Sequence, residues 1–287
     1  MANSFCIKTN NNQILDYLLF ELENINLENI YLSRNNFKIY QNIVVHYRGE
    51  NTDLFLSNIS NTLSNAIVKF YEQNILKKII NCNYFYFSDF EKKEIFDNAS
   101  KSLTESIENL TYRKNLVSFL CYEFLLKNKN LILDGLVNFR LQEYMKLLDE
   151  TIDLATDKFL IDREYNEFIS LLKLYINSKV SSPYSLHLVY LNNESILLDH
   201  NKNIIHIDDN IFNAKYLSDI SFSSNDYALN TLLNLLPKKL YIHLINSEED
   251  EFISTLKLIF DNRVYICEDC QICNIYKISN NVHPLQN

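Results

Sequence analysis

Apolar positions in the first fifty residues switch between the period of a strand and that of a helix. The segment "SFCIK" alternates apolar and polar residues, which predicts a strand. The run "NNQILDYLLFELENI" then places leucines and isoleucines at helical spacing behind asparagines that can cap a helix. In "NIYLSRNNFKIYQNIVVHY" the period of two returns and predicts two strands around an Arg-Asn-Asn turn. Residues 1–50 are therefore predicted to form a small β-α-β-β unit.

A helical period dominates residues 51–180, which we predict to be a helical domain with a long amphipathic helix. Its longest run carries one apolar stripe from Leu141 to Phe159 at steps of 4, 3, 4, 3 and 4. A second stripe, from Ile161 to Tyr175, follows at steps of 4, 3, 4 and 3. Because the two stripes are out of phase, we expect a bend or break between Phe159 and Arg163 that lets both be buried.

The period returns to two beyond the "KVSSPYS" segment, where Pro183 ends the helix. Strands are predicted at "YSLHLVYL", "ESILLDH" and "KNIIHID", and a β-α-β run from Lys239 to Cys267 predicts a parallel pair. The tail beyond it is expected to be unstructured. Residues 181–287 thus form a C-terminal α/β domain that ends in a cysteine triad. The predicted fold class is mixed α/β (α+β), with domains at 1–50, 51–180 and 181–287.

Composition narrows the function classes. The hydrophobic fraction of 47% and charged fraction of 22% are ordinary for a globular protein. Gly49 and Gly135 are the only glycines, so no glycine-rich phosphate loop and no G-x-S-x-G elbow can be written. Glycine-loop nucleotide enzymes are therefore disfavoured.

The charge is acidic and concentrated near the end of the chain. The net charge is −9, and residues 181–287 hold 7 basic against 13 acidic residues. Such a surface repels phosphate backbones, so we expect no broad nucleic-acid binding. No secretory signal and no membrane-spanning apolar run is seen, and six cysteines without a secretion signal suggest reduced thiols. These features predict a cytoplasmic protein without a transmembrane segment.

The segment "CEDCQIC" places Cys267, Cys270 and Cys273 two residues apart, a spacing that lets thiolates share one metal ion. A fourth ligand is needed, and His283 is the nearest downstream candidate. Zinc is favoured over an iron–sulfur cluster because Lys277 stands where a bacterial ferredoxin run would have its fourth cysteine. Other sources of the fourth ligand are Cys6, Cys82, Cys121, another chain or water.

Two other interpretations of these residues stay open. Two of the three cysteines could form a reversible disulfide, or all three could be structural, and Glu268 and Asp269 are expected to disfavour a reactive thiolate. Histidines 187, 206 and 243 fall on predicted strands, where they could converge on a three-histidine metal site or be ordinary strand residues.

A second polar site is predicted if the long helix breaks and folds back. Asn138 and Arg140 would then face Glu164 and Glu167, and the group could bind a small anion or a partner. The alternative is a set of helix-packing ion pairs, each contributing little to stability.

The long helical run also resembles the signature of the YtxC-like family of sporulation proteins. The resemblance is carried by Asn138-Phe139-Arg140-Leu141, Tyr144, Phe159-Leu160, Glu164-Tyr165, Glu167-Phe168-Ile169 and Leu171-Leu172. The tail "IFDNRVYICEDCQIC" is similar to the C-terminal end of that family, including its triple cysteine.

This resemblance implies a link to endospore formation and implies no reaction or substrate. The sequence as a whole predicts a sporulation-associated cytoplasmic factor that binds or scaffolds an unknown protein partner and holds a metal site. The alternative is an iron–sulfur- or other metal-dependent enzyme, or a redox sensor, centred on the cysteine triad.

Overall fold

A computed structural model describes residues 3–36, 40–205 and 223–281, and its helices and two sheets confirm the mixed α/β fold. The chain divides into two compact units, Met1–Asp162 and Arg163–Asn287. The first unit contains β1 (Asn3–Thr9), α1 (Asn12–Glu23), β2 (Ile30–Asn36), β3 (Gln41–Tyr47), α2 (Thr52–Phe70), α3 (Glu72–Asn83), α4 (Asp89–Thr104), α5 (Ile107–Lys127), β4 (Asn130–Ile132), α6 (Leu133–Arg140) and the start of α7 (Gln142–Ser178). The second contains the rest of α7, β5 (Ser182–Leu191), β6 (Glu194–Leu198), α8 (Ser224–Leu235), β7 (Pro237–Ile245), α9 (Glu251–Phe260), β8 (Val264–Cys267) and α10 (Gln271–Asn281).

The first sheet has the strand order β2-β3-β1-β4. The β-α-β-β order expected for the first fifty residues is present, although Arg34–Asn36, predicted as a turn, belong to β2. The intervening residues 37–39 lie outside the described part of the chain. Strand β4 pairs in parallel with β1 and lies inside a stretch that was predicted to be helical. With only three residues, it is too short to show a period of two.

The first unit buries one ion pair inside its core. Arg113 of α5 donates to the Glu72 carboxylate through Nε at 3.0 Å, and to the backbone carbonyl of Leu103 at 2.7 Å. The hydroxyl of Tyr144 also donates to Glu72, at 2.6 Å. Burial and the Glu72 charge raise the pKa of Tyr144, so its hydroxyl stays protonated and remains a donor. Each charge in this network is therefore satisfied by a partner from the chain itself.

Helix α7 runs without interruption from Gln142 to Ser178, so the predicted break is wrong. The first stripe is buried as expected: Leu148 and Ile152 are fully buried in the core of the first unit. Most of the second stripe is not, since Ile161, Phe168 and the other aromatic positions of that stripe are exposed. The apolar face that packs in the second unit consists instead of Ile169, Leu172 and Ile176.

The second sheet has the order β6-β5-β7-β8, and the predicted parallel pairing of β7 with β8 is confirmed. One face, which includes Leu188 and Ile242, packs on the core shared with α7, α8 and α9. The opposite face packs Val189 and Ile245 against Ile272 of α10. This helix occupies the tail that was expected to be unstructured. It is amphipathic but short, and its first turn includes a cysteine of the triad.

Of the predicted strand "KNIIHID", Ile204 forms an isolated antiparallel bridge with Leu198, and residues 206–222 lie outside the described ranges. Among the helices that the structure describes, none combines the length and the apolar character needed to cross a bilayer.

Candidate metal centre

Four side chains from three elements of the second unit meet at the carboxyl end of the parallel pair. The β7–β8 register places His243 directly opposite Cys267, the last residue of β8. The chain then turns, and Cys270 and Cys273 flank the start of α10. Their four ligand atoms all lie within 4.8 Å of one another. The three predicted cysteines are thus brought together, with a histidine from the neighbouring strand as the fourth member.

Local contacts explain why the chain turns back after β8. The Cys270 carbonyl accepts the backbone N–H of Asn274 at 3.0 Å, so Cys270 is the residue that immediately precedes α10. Lys277, about two turns further on, lies 3.5 Å from the carboxylate of Asp269. This pair joins the turn to the helix and places a cation beside one of the two acids between the cysteines.

Four of the six distances among the donor atoms match the edges of a tetrahedral zinc site, and the other two, from the Cys267 sulfur to the Cys270 sulfur and to His243, are no longer than 4.8 Å. With zinc–sulfur bonds of about 2.3 Å and zinc–nitrogen bonds of about 2.0–2.1 Å, the edges of a tetrahedron are roughly 3.8 Å between sulfurs and roughly 3.6 Å between nitrogen and sulfur. The Cys273 sulfur lies 3.7 Å from that of Cys270 and 3.8 Å from that of Cys267. Nδ1 of His243 lies 3.4 Å from the Cys273 sulfur and 3.5 Å from the Cys270 sulfur.

The three thiols are not equivalent electrostatically. Burial alone would raise the pKa of Cys270, but hydrogen bonds from the backbone N–H of Cys273 and from neighbouring thiol and backbone groups lower it. Cys270 thus becomes a thiolate most readily, because the N–H groups at the start of α10 point at its sulfur. Burial raises the pKa of Cys273, and burial together with the neighbouring thiols raises that of Cys267 to about 12.

His243 is neutral and buried. Burial and the nearby His187 lower its pKa to about 4, so at neutral pH one ring nitrogen carries a lone pair that can bind a metal. The other nitrogen, Nε2, lies 3.0 Å from Nδ1 of His187. Burial followed by the charge of Lys202 also lowers the pKa of His187. Both histidines are therefore uncharged at neutral pH.

This donor set suits one zinc ion. Three soft thiolates and a neutral imidazole form a Cys3His site, a common closed zinc coordination in proteins. An iron–sulfur cluster places several iron atoms between its cysteines and would hold their sulfurs farther apart than contact distance. The described residues are thus compatible with a single zinc ion.

The other predicted site residues are not part of this four-residue cluster in the described part of the chain. His206 and His283 lie outside the described residues, so the structure describes neither as a ligand. Asn138 and Arg140 are exposed on α6 in the first unit, and the Asn138 side chain donates to the Asp134 carbonyl at 2.8 Å. Glu164 and Glu167 are exposed on α7 in the second unit. The alternative fourth ligands Cys6, Cys82 and Cys121 belong to the first unit.

Sequence reasoning missed His243 as the partner of the cysteines, although it noted this histidine on a strand. The available signal was the β-α-β run itself. If β7 and β8 are parallel neighbours, a histidine near the end of β7 and a cysteine at the end of β8 can lie side by side. His187 was grouped with His243, and the structure does bring those two together.

Comparison with known proteins gives one match. No curated protein and no solved structure shows significant similarity to the chain. The sequence profile of the YtxC-like family matches residues 57–265, most of the chain. The match includes His187 and His243 and stops two residues before Cys267. The chain therefore belongs to the YtxC-like family.

Proposed function

We propose that this chain is a sporulation-associated cytoplasmic binding protein whose C-terminal unit is held together by a structural zinc ion. The ligands are His243, Cys267, Cys270 and Cys273. Four protein ligands complete a tetrahedral coordination sphere, whereas catalytic zinc sites keep one position for water or substrate. The role of the metal is therefore to stabilise the fold, and the biological activity lies in binding a protein partner.

The observation that carries this proposal is the convergence of four donor atoms within 4.8 Å, with four of their six distances close to tetrahedral edges. The packing around the site indicates that a metal ion would stabilise this part of the fold. On this face of the sheet the described core contains five buried residues, against thirty-five in the main core of the first unit. So small a core stabilises α10 weakly, and a metal ion bonded to both β8 and α10 would supply the missing stabilisation.

A partner-binding role is supported by the surface of the second unit. Phe168, Leu171 and Leu174 are between 53% and 67% exposed on the α7 segment of this unit. Apolar side chains grouped on a helix surface are common where another protein binds. The acidic charge of this part of the chain favours a protein partner over a nucleic acid.

The zinc proposal is tested by metal analysis of the full chain purified under reducing, chelator-free conditions. We expect one zinc per chain, and we expect Cys270→Ser to lower that content and destabilise α10 and β8. Hydrogen exchange resolved by segment should show faster exchange in 264–281 and unchanged exchange in α5. Cys82→Ser is the matched control, because Cys82 is an exposed thiol of the first unit. Zinc-free protein with native protection of α10 would contradict the proposal.

A redox sensor is the second candidate, and the position of Cys270 favours it. A cysteine at a helix start with a lowered pKa, 3.7 Å from the sulfur of Cys273, resembles the reactive arrangement of dithiol redox proteins. Peroxide would take two electrons from the thiols of Cys270 and Cys273, giving one disulfide and two molecules of water. In the same metal assay, zinc release with loss of two thiols at micromolar peroxide would support this function; unchanged thiol and zinc contents would exclude it.

A further inference from the structure

His187 is a polar residue beside the metal centre that is not one of its four proposed ligands. It lies on β5, next to β7 in the sheet, and its Nδ1 is 3.0 Å from Nε2 of His243. The opposite nitrogen of His243, Nδ1, faces the sulfurs of Cys270 and Cys273. The His243 ring therefore bridges His187 on one side and two thiols on the other.

This arrangement constrains the proton on His243. A neutral imidazole carries one ring proton, and the nitrogen that binds a metal must not carry it. If Nδ1 binds the metal, the proton is on Nε2, where it can be donated to Nδ1 of His187. In the alternative tautomer His243 carries its proton on Nδ1, so the 3.0 Å contact would need His187 to donate from its own Nδ1, and no lone pair would remain on the sulfur side.

We infer that His187 is a positioning residue that holds His243 in the Nε2–H tautomer, so that Nδ1 is the metal-binding atom. The inference rests on the proposed zinc site. His187 does not touch the metal position. It acts through the hydrogen bond to His243, in the way that metal-binding histidines usually donate their second ring proton to an acceptor that fixes their orientation.

The His187 ring is itself held in place. It stacks on the ring of Tyr241, with centroids 5.2 Å apart and planes inclined by 20°. The β5–β7 register pairs these two residues, so the stacking follows from the strand alignment. Tyr241 in turn contacts the ring of Tyr265 on β8 at 5.5 Å. A row of aromatic rings across three strands thus holds the His187 ring in the orientation that brings its Nδ1 to His243.

Two substitutions separate the hydrogen bond from packing. His187→Phe keeps a flat ring on Tyr241 and removes the acceptor, whereas in His187→Asn the side-chain oxygen can take the place of Nδ1. In full-length protein, competition against a chromophoric chelator should show zinc binding weakened by about 10- to 100-fold in the Phe variant. The Asn variant should recover most of that loss. His200→Phe is the control, because His200 also stacks on a tyrosine, Tyr184, and is not part of the metal centre.

A second readout needs no metal. Imidazole nitrogen NMR shifts of the metal-free protein should show His243 protonated on Nε2 in the wild type, and a mixture of tautomers in His187→Phe. Wild-type His243 protonated on Nδ1 would overturn the inference even if the variants fold poorly. Equal zinc affinity in the wild type and His187→Phe would also overturn it. A wild-type protein that binds no zinc contradicts the proposed function instead, and the tautomer still decides the role of His187.

Discussion

The two units of this protein bury polar groups in opposite ways. In the first, Glu72 is surrounded by Arg113 and Tyr144, and the chain supplies a counter-charge and hydrogen bonds for the carboxylate. In the second, three thiols and the uncharged His243 converge, with no positively charged side chain among the four clustered residues. Thiolates in contact repel each other, so two or three of them can ionise together only if a cation is added.

This difference indicates which unit needs a bound ion for part of its stability. The first unit carries its own compensation and a core of thirty-five buried apolar residues, so its stability should not depend on metal. The second unit has a separate core of fifteen buried residues, but the cysteine cluster and α10 lie at the edge of a core of only five. If zinc binds there as proposed, the stability of this edge of the second unit should depend on metal concentration, and that of the first unit should not.

The largest effect expected on this comparison comes from Glu72→Ala. Removing the carboxylate leaves the Arg113 guanidinium, whose side chain is 3% exposed, buried without its charged partner. Breaking a buried pair on one side costs about 3–5 kcal/mol. We expect that loss in the free energy of unfolding of the first unit, measured by urea denaturation with exchange in α5 as the local probe.

The matched control is Glu105→Ala, which removes the exposed partner of Lys101 at 4.0 Å. An exposed pair of this kind contributes about 0–1 kcal/mol. If both substitutions cost the same, the buried network does not stabilise the first unit as described. Zinc content should be unchanged in both variants, because neither residue lies in the second unit.

An intermediate effect is expected from pH in the metal-free protein. The pKa of His243 is lowered to about 4 from an ordinary 6.5, so between these values the unfolded chain takes up a proton that the folded chain does not. Stability should be complete above pH 6.5 and fall as the pH drops towards 4. The loss from His243 is about 3 kcal/mol at most. Denaturation of the second unit at pH 7 and pH 4.5 would measure it.

The control for that experiment is His243→Leu, which cannot take up the proton. Its stability should change less over the same pH range, although His187, whose pKa is also lowered, keeps part of the slope. A wild-type second unit that is equally stable at both pH values would contradict the burial of a neutral His243.

The sequence predicts features that depend on neighbouring residues in the chain better than features that depend on packing between distant segments. The parallel pair and the position of Cys267 at the end of a strand follow from a period of two, a helix and another strand, and all were found. The β-α-β run limits the fourth donor to residues near the end of β7, but it does not single out His243. The identity of that donor depends on which residue of β7 lies opposite Cys267, and strand register is set by packing across the sheet.

The choice of the buried face of α7 also depends on packing and could not be predicted from the sequence. Between Phe168 and Ile176 nearly every position is apolar, so several faces satisfy a helical period equally well. The stripe through Phe168 and Tyr175 has regular spacing, yet the core selected Ile169 and Ile176. Aliphatic side chains of that shape fit between the helix and the sheet, and the choice could not be read from spacing alone.

The smallest expected effect tests that choice. Phe168 is 53% exposed, so Phe168→Ser should change the free energy of unfolding of the second unit by no more than about 0.5 kcal/mol. Ile169, its neighbour in the chain, is 4% exposed, and Ile169→Ala should cost about 2–5 kcal/mol because it leaves a cavity beside the sheet. Denaturation of the two variants, with zinc held constant, compares adjacent positions on one helix. A large loss for Phe168→Ser with a small loss for Ile169→Ala would show that the stripe through Phe168 packs in the core, as the sequence predicted. The expected result would leave the exposed side chain of Phe168 available to a protein partner, as the proposed function requires.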